Sequence, residues 1–246
     1  MPTAPLVDQL RLLDLQDLDT TIARLGHERR SLPVLTQIAE LTGRADDLHD
    51  ELVLAASAAG DARRALTKAE ADVEQVRSRA RRNQERLDSG QGLSRELVAL
   101  QEELEHLAGR QATLEEAELE AMEVAEETDA RVTALKEQSA SVATDLESLG
   151  AERDAAFTRI DADVAARRSE RDELAGTLPG PLLDEYEAAR RQTGGLGAVA
   201  VRGHRAEGVA VDFTLAEQSM IDRAAEDEIL VSEDHGFILV RVGDRR

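Results

Sequence analysis

Apolar residues return at alternating steps of three and four along most of this chain. From Ile38 the series runs through Leu41, Ala45, Leu48, Leu52, Ala55, Ala59, Ala62, Leu66, Ala69, Val73, Val76 and Ala80 to Leu87, interrupted only by Asn83. It resumes at Leu97 and passes Leu100, Leu104, Leu107, Leu114, Ala121, Ala125, Val132, Leu135, Val142, Leu146, Leu149 and Ala156 to Ile160. Gln111, Glu118, Thr128, Ser139 and Arg153 are the polar exceptions in that second run. A 3-4 spacing kept over many heptads is the mark of a coiled coil. Only Ser89-Gly90-Gln91-Gly92-Leu93 separates the two runs. Two long helices joined by five residues fold back as an antiparallel hairpin.

The same reading places three long helices. The first covers about 5–30 on a stripe of Leu6, Leu10, Leu13, Leu15, Leu18, Ile22 and Leu25, with Asp8, Asp14, Asp17 and Asp19 mostly off it. Pro33 forces the residue before it out of helical geometry and suits the first turn of the next helix, which runs over 33–88. The third covers 94–175, with Ser94 as the expected N-cap and Gly176 just past its end. At 1.5 Å per residue the second helix spans ~84 Å and the third ~123 Å. The excess matches the length of the first helix, which is therefore expected beside the C-terminal part of the third. Around Leu52-Val53-Leu54-Ala55-Ala56 the second helix is apolar on more than one face. That stretch is either a homodimer contact or alanine-rich helix with two spare side chains.

After Thr177-Leu178-Pro179-Gly180-Pro181 a short helix is expected over Leu182 to Arg191, with Leu183 and Tyr186 facing inward. Thr193-Gly194-Gly195-Leu196-Gly197 then ends the helical style and reads as a hinge. Strand-like alternation follows in Ala198–Val201 and Gly208–Phe213. Thr214 and Glu217 form a capping-box pair that opens a helix to about Ala225. Two final strands, Glu228–Val231 and Phe237–Arg241, flank a tight turn at Ser232–Gly236. The fold class is thus mainly α: a long coiled-coil hairpin stalk over 1–176 and a small α+β knob within 177–246.

Composition sharpens this picture. The chain of 246 residues has one tyrosine, three phenylalanines and no tryptophan, as expected of a thin helical seam that large rings would push apart. A formal net charge of −21 repels nucleic acid from the molecule as a whole, so any such binding needs a local basic patch. There are no cysteines, hence no disulfides and no thiolate ligands. The segment MPTAPLVDQLRLLDLQ has no basic region ahead of an apolar run and is not read as a signal peptide. No apolar run approaches ~20 residues, so a soluble cytoplasmic protein without membrane contact is expected.

Four stretches carry a resemblance: LLDLQDLDTTIARL at the start, SRELVALQEELEHL after the turn, LLDEYEAARRQTGGLGAVAV before the knob and EILVSEDHGFILVR at the end. Together they resemble the bacterial coiled-coil proteins with a C-terminal four-cysteine zinc ribbon. The resemblance implies two Cys-x-x-Cys knuckles in the knob, at His204 and Glu207 and at Ser232 and His235. None of these is cysteine, so this chain reads as a degenerate member with a zinc-ribbon-like domain and no metal. Retained zinc would bind weakly, through His204, Glu207 and His235, with Asp234 able to replace Ser232. The resemblance also implies an adaptor that binds protein or RNA partners.

The arginines are the remaining candidates. Arg77, Arg79, Arg81, Arg82 and Arg86 cluster beside the turn, with Arg95 just past it. Arg190, Arg191, Arg202 and Arg205 gather near the knob, and Arg167, Arg168 and Arg171 lie on the third helix nearby. Arginine pairs in bidentate fashion with phosphates or carboxylates, so these are contact sites for nucleic acid or an acidic partner, or simply partners of Glu102, Glu103 and Glu105. Aromatic rings that would stack bases are missing around them. The acidic run from Glu115 to Glu127 reads as a solvated face, Gly194-Gly195-Leu196-Gly197 stands in the wrong order for a dinucleotide loop, and His27, His49 and His106 are isolated on helices. No catalytic set emerges. The expected function is a non-enzymatic scaffold binding proteins through tip and knob, with a nucleic-acid-binding regulator as the alternative.

Overall fold

The computed structural model describes residues 3–243. Helices α1 (Leu6–Arg30), α2 (Pro33–Asp88) and α3 (Ser94–Ala175) follow the periodicity closely, and α4 (Gly180–Thr193) is longer than expected at both ends. Contacts divide the chain into two compact units, one joining Met1–Leu35 to Ala151–Arg246 and the other comprising Thr36–Gly150. Helix α3 continues across this division and ends at Ala175.

In the Thr36–Gly150 unit α2 and α3 run antiparallel. Arg131 reaches Glu51, Arg63 reaches Asp129 and Arg77 reaches Glu115, so numbers rise on one helix as they fall on the other. The seam is built by Leu48, Ala55, Leu135 and Val142, with Leu41, Leu52 and Leu146 packed against them. Alanines 55, 59 and 62 let the backbones approach, and each contributes only the ~0.8 kcal/mol of a buried carbon. Stability is accordingly spread over many small contacts. Val53 and Leu54 point outward, 56% and 73% exposed.

The turn between the two helices depends on Gly90 at φ 62° and Gly92 at φ 143°, conformations that residues with a Cβ avoid. Leu93, not Ser94, takes the cap position of α3. Its carbonyl accepts from the amides of Glu96 and Leu97 at 2.8 and 3.1 Å, and its own amide donates to Glu96 Oε2 at 3.1 Å. Glu96 therefore supplies the N3 half of a capping box, accepting from the cap residue's amide, while Leu93 has no side-chain oxygen to make the other half that was expected of Ser94.

In the other unit α1 lies antiparallel to the C-terminal part of α3, as the length argument requires. Arg29 Nε donates to Asp161 Oδ1 at 2.9 Å, and its guanidinium sits 3.8 Å over the Phe157 ring. Four short strands follow α4: β1 (Ala198–Arg202), β2 (Arg205–Ala206), β3 (Leu230–Val231) and β4 (Ile238–Arg241), with helix α5 (Leu215–Arg223) between β2 and β3. The sheet order is β2-β1-β4-β3; β1 and β4 are parallel and the outer pairs antiparallel.

Period-two alternation gives this sheet two buried faces. Ala198, Ile238 and Val240 meet Leu12, Leu15, Leu182 and Tyr186 from α1 and α4. Val199, Val201 and Leu239 meet Phe213 and Ile221 on the other side. The strand expected over Gly208–Phe213 does not form. Gly208, at φ 81°, turns the chain out of the sheet, and only Asp212 returns to make an isolated bridge with Arg205. The third strand is shorter than expected, Leu230–Val231, while the turn after it forms, with Ser232 N donating to Phe237 O at 2.9 Å.

Candidate functional site

The polar chemistry of the knob-bearing unit is concentrated where α1, α3, α4 and the entry to β1 meet. Asp19, expected off the apolar stripe, is 4% exposed. Tyr186 Oη donates to Asp19 Oδ2 at 2.8 Å and lies 3.2 Å from Gln16 Oε1. Arg171 Nε donates to Asp19 Oδ1 at 3.2 Å, and Arg190 Nε lies 3.3 Å from Oδ2. Arg171 also pairs with Glu187. Burial, reinforced by the adjacent Asp19 carboxylate, pushes the Tyr186 hydroxyl far above its ordinary range, so it remains a donor at all accessible pH. Burial works against the charge on Arg171, but Glu187 and Asp19 outweigh it and hold the guanidinium charged.

Gln16 extends this network to the glycine-rich segment. Its Oε1 accepts from Gly197 N at 2.6 Å, and its Nε2 donates to Gly195 O at 3.1 Å. The segment read as a hinge is thereby pinned to α1. Nothing in the sequence distinguished Gln16 and Asp19 from surface residues of a coiled coil; their neighbours Leu12 and Leu15 were the available signal that this face is buried on both sides.

The four knuckle positions are each engaged elsewhere. His204 Nε2 is 2.9 Å from Asp222 Oδ1. Glu207 Oε1 accepts from Arg202 Nε at 2.7 Å. Ser232, 1% exposed, donates to Glu217 Oε1 at 2.6 Å and accepts from His235 N at 3.1 Å. The His235 ring stacks on Phe237 at 5.5 Å between centroids. Among the described residues no group of three or more His, Cys, Asp or Glu is placed to hold a metal ion. A structural zinc ion wants four thiolate or imidazole donors converging tetrahedrally, and these side chains do not fit one.

What ties the second knuckle position to the knob is a hydrogen-bonded carboxylate. The Thr214 amide donates to Glu217 Oε2 at 3.0 Å and the Glu217 amide donates to Thr214 Oγ1 at 3.3 Å, the reciprocal capping box expected from the sequence. Glu217 is itself 4% exposed. Burial raises its pKa, yet the bonds from Ser232 and Thr214 and the nearby His235 prevail and hold it below the usual carboxylate range.

The tip arginines divide into two groups. Arg77 donates to Glu115 Oε1 at 2.6 Å, Arg79 pairs with Glu103, Arg81 lies 3.4 Å from Glu74, and Arg82 donates to Ser78 Oγ at 2.8 Å. Of the three glutamates expected opposite, Glu103 pairs and Glu115 takes the place of the others. Gln111, then Arg77, hold the Glu115 carboxyl below its ordinary pKa. Arg86 and Arg95 are exposed and form no hydrogen bond or ion pair among the described residues. Beside them Leu93 is 67% and Val98 53% exposed. Near the knob, Arg190 and Arg202 are committed to carboxylates, whereas Arg191 and Arg205 extend into solvent. No helix among the described residues is long and apolar enough to cross a membrane.

Comparison with known proteins fits this geometry. Residues 15–194 match the family described as CT398-like coiled coil hairpin domain. The uncharacterized protein Rv2229c of Mycobacterium tuberculosis is 32% identical over 239 residues, covering 97% of each chain. A solved structure from Mycobacterium smegmatis superposes with a TM-score of 0.85 at 29% identity, over 98% of this chain and all of that one. CT398 from Chlamydia trachomatis shares the fold with a TM-score of 0.67 at 16% identity, over 96% of this chain and 98% of its own.

Proposed function

Because the chain belongs to the CT398-like coiled-coil hairpin family, we propose that it is a non-enzymatic scaffold whose hairpin tip and terminal knob hold protein partners. The observation that carries this reading is the tip. Leu93 and Val98 stand exposed next to the uncommitted Arg86 and Arg95, on a turn held by Gly90, Gly92 and the Glu96 cap. Exposed apolar side chains ringed by arginine on a well-held turn are the makings of a protein contact. The buried carboxylates support binding over catalysis: Asp19 and Glu217 are spent on joining elements, and neither faces an open cleft as a general base would. In this reading the knob works without metal, held by its two apolar faces and the Glu217 network.

A photo-crosslinking residue placed at Leu93 or Val98, with one at Leu54 as control, tests the proposal in cells. Protein adducts at the two tip positions that survive nuclease treatment are expected. Adducts that vanish with nuclease would favour a nucleic-acid-binding regulator using the arginine clusters, and labelling at Leu54 alone would move the contact away from the tip.

A further inference from the structure

The departure of Gly208–Phe213 from the sheet leaves the N-terminal half of the outer edge of β1 without a partner strand. Gly197 O accepts from Ile238 N and Val201 O from Val242 N, both at 2.9 Å, so odd-numbered residues of β1 turn their backbone groups to β4. The even-numbered ones face the opposite way. Ala198 N is met by Gln16 Oε1 at 3.4 Å and Ala200 O by Glu207 N at 2.8 Å. Beyond that bond β2 has ended, and the Ala198 carbonyl and Ala200 amide have no partner among the described residues. Ala198 is only 2% exposed, so a missing partner there is costly. The bare edge opens into a groove of about 840 Å³ between α1 and the segment leaving β2. Its α1 wall carries Leu13, Asp14 and Asp17; Leu196 and Val209 line it from the knob.

Asp14 and Asp17 belong to the LLDLQDLD motif, whose other polar residues, Gln16 and Asp19, turn inward. Asp14 and Asp17 are exposed, and their side chains have no ion pair or hydrogen bond among the described residues. Two like charges one helical turn apart repel each other and are stabilised by a cation between or opposite them.

The geometry points to a strand-addition site on β1, taken by an extended segment of a protein partner that alternates Lys or Arg with apolar residues. The inference rests on the scaffold reading for the knob and is independent of the tip. Backbone groups of the segment pair with Ala198 and Ala200, the mode in which peptides extend an exposed sheet edge. Alternate side chains of an added strand point to opposite faces. One set meets Asp14 and Asp17 on the α1 side. Residues two apart in a strand are ~6.6 Å apart, close to the ~5–6 Å between Cβ atoms three apart on a helix. The other set meets Val209 and the second core. The acidic wall repels nucleic acid, and it also repels a second copy of this chain presenting the same face.

Selection of a random heptapeptide display library on the full chain, followed by fluorescence anisotropy of the enriched peptides, tests the inference. Enriched peptides should alternate basic and apolar residues. Methylation of their alternate backbone nitrogens should weaken binding about tenfold, the loss of roughly one good hydrogen bond. The doubly exposed variant Asp14→Asn/Asp17→Asn, checked for unchanged circular dichroism, should weaken it about as much at low salt. Hydrogen exchange at the Ala200 amide should slow when peptide is bound. No enrichment, peptides without Lys or Arg, N-methylated copies that bind as well, or protection mapping away from β1 would each overturn the inference. So would an Ala200 amide that exchanges as slowly as the β1–β4 amides in the free protein, because residues 208–213 would then already cover the edge. A single-stranded oligonucleotide that protects the same amide would also overturn it. Leu93→Asp should leave peptide binding unchanged, which separates failure here from failure of the tip.

Discussion

Tyr186 holds α1, α4 and the entry to β1 together with one ring and one hydroxyl. Its side chain is fully buried, and a Cβ at Gly197 would stand less than 3.0 Å from three atoms of its ring. Gly197→Ala therefore forces either the ring or β1 to move, and overpacking of this kind costs about 1–3 kcal/mol. Tyr186→Phe keeps the ring but leaves Asp19 short of a donor, a loss of about 1–3 kcal/mol. Urea titration of both variants checks this; a Gly197→Ala midpoint equal to that of the parent would contradict the packing described. Glu217 makes a prediction about pH. Its pKa is lowered by folding, so its bonds add stability that is complete above the ordinary carboxylate value of ~4.3 and lost as pH falls through the lower folded value. Glu217→Gln should thus be less stable than the parent at pH 7, and the gap should narrow below about pH 4.3. A gap that widens in acid would mean that burial, not hydrogen bonding, governs this group.

At the scale of elements, Asn83 tests what the seam prefers. It is 8% exposed, and its Nδ2 finds no hydrogen-bond partner among the described residues. Asn83→Leu removes an unpaired amide and adds apolar volume, so thermal unfolding should show a gain of about 1–2 kcal/mol. A loss would mean that the amide is paired through water and sets the register of the hairpin. The helices could be read from the sequence because a 3-4 repeat means the same thing wherever the partner helix lies, and Pro33, Gly90 and Gly92 mark the breaks. The sheet was less legible. Val209 and Val211 alternate like a strand, but alternation does not reveal that Gly208 adopts φ 81° and sends them sideways into the second core. The buried polar network was hidden for a related reason. Gln16 and Asp19 occupy helix positions that solvate in a two-stranded rod, and they are buried because α4 and β1 cover them. At the tip the cluster of arginines was visible, while the commitment of Arg77 to Glu115 and the freedom of Arg86 and Arg95 depend on the pairing of α2 with α3.

At the scale of the molecule, the charges oppose one another in a way that salt can separate. The ion pairs across α2 and α3, such as Arg63–Asp129 and Arg77–Glu115, are between exposed side chains, and pairs of this kind contribute ~0–1 kcal/mol each. Against them stand 51 carboxylates facing 30 Lys and Arg, so 21 negative charges have no counterpart. Salt weakens both effects, because the screening length falls from ~30 Å at 0.01 M to ~10 Å at 0.1 M. Close pairs at about 3 Å lie well inside either length, whereas repulsion among carboxylates spaced along the helices acts over distances that the added salt cuts off. Relief of repulsion should therefore win. Raising sodium chloride from 0.01 to 0.3 M should increase the melting temperature by on the order of a few °C, measured by circular dichroism at 222 nm. Replacing exposed carboxylates of the Glu115–Glu127 face, such as Glu120 and Glu123, with glutamine should raise the low-salt value and reduce its salt dependence. A melting temperature that falls with salt would show instead that the arginine–carboxylate pairs across the hairpin govern its stability.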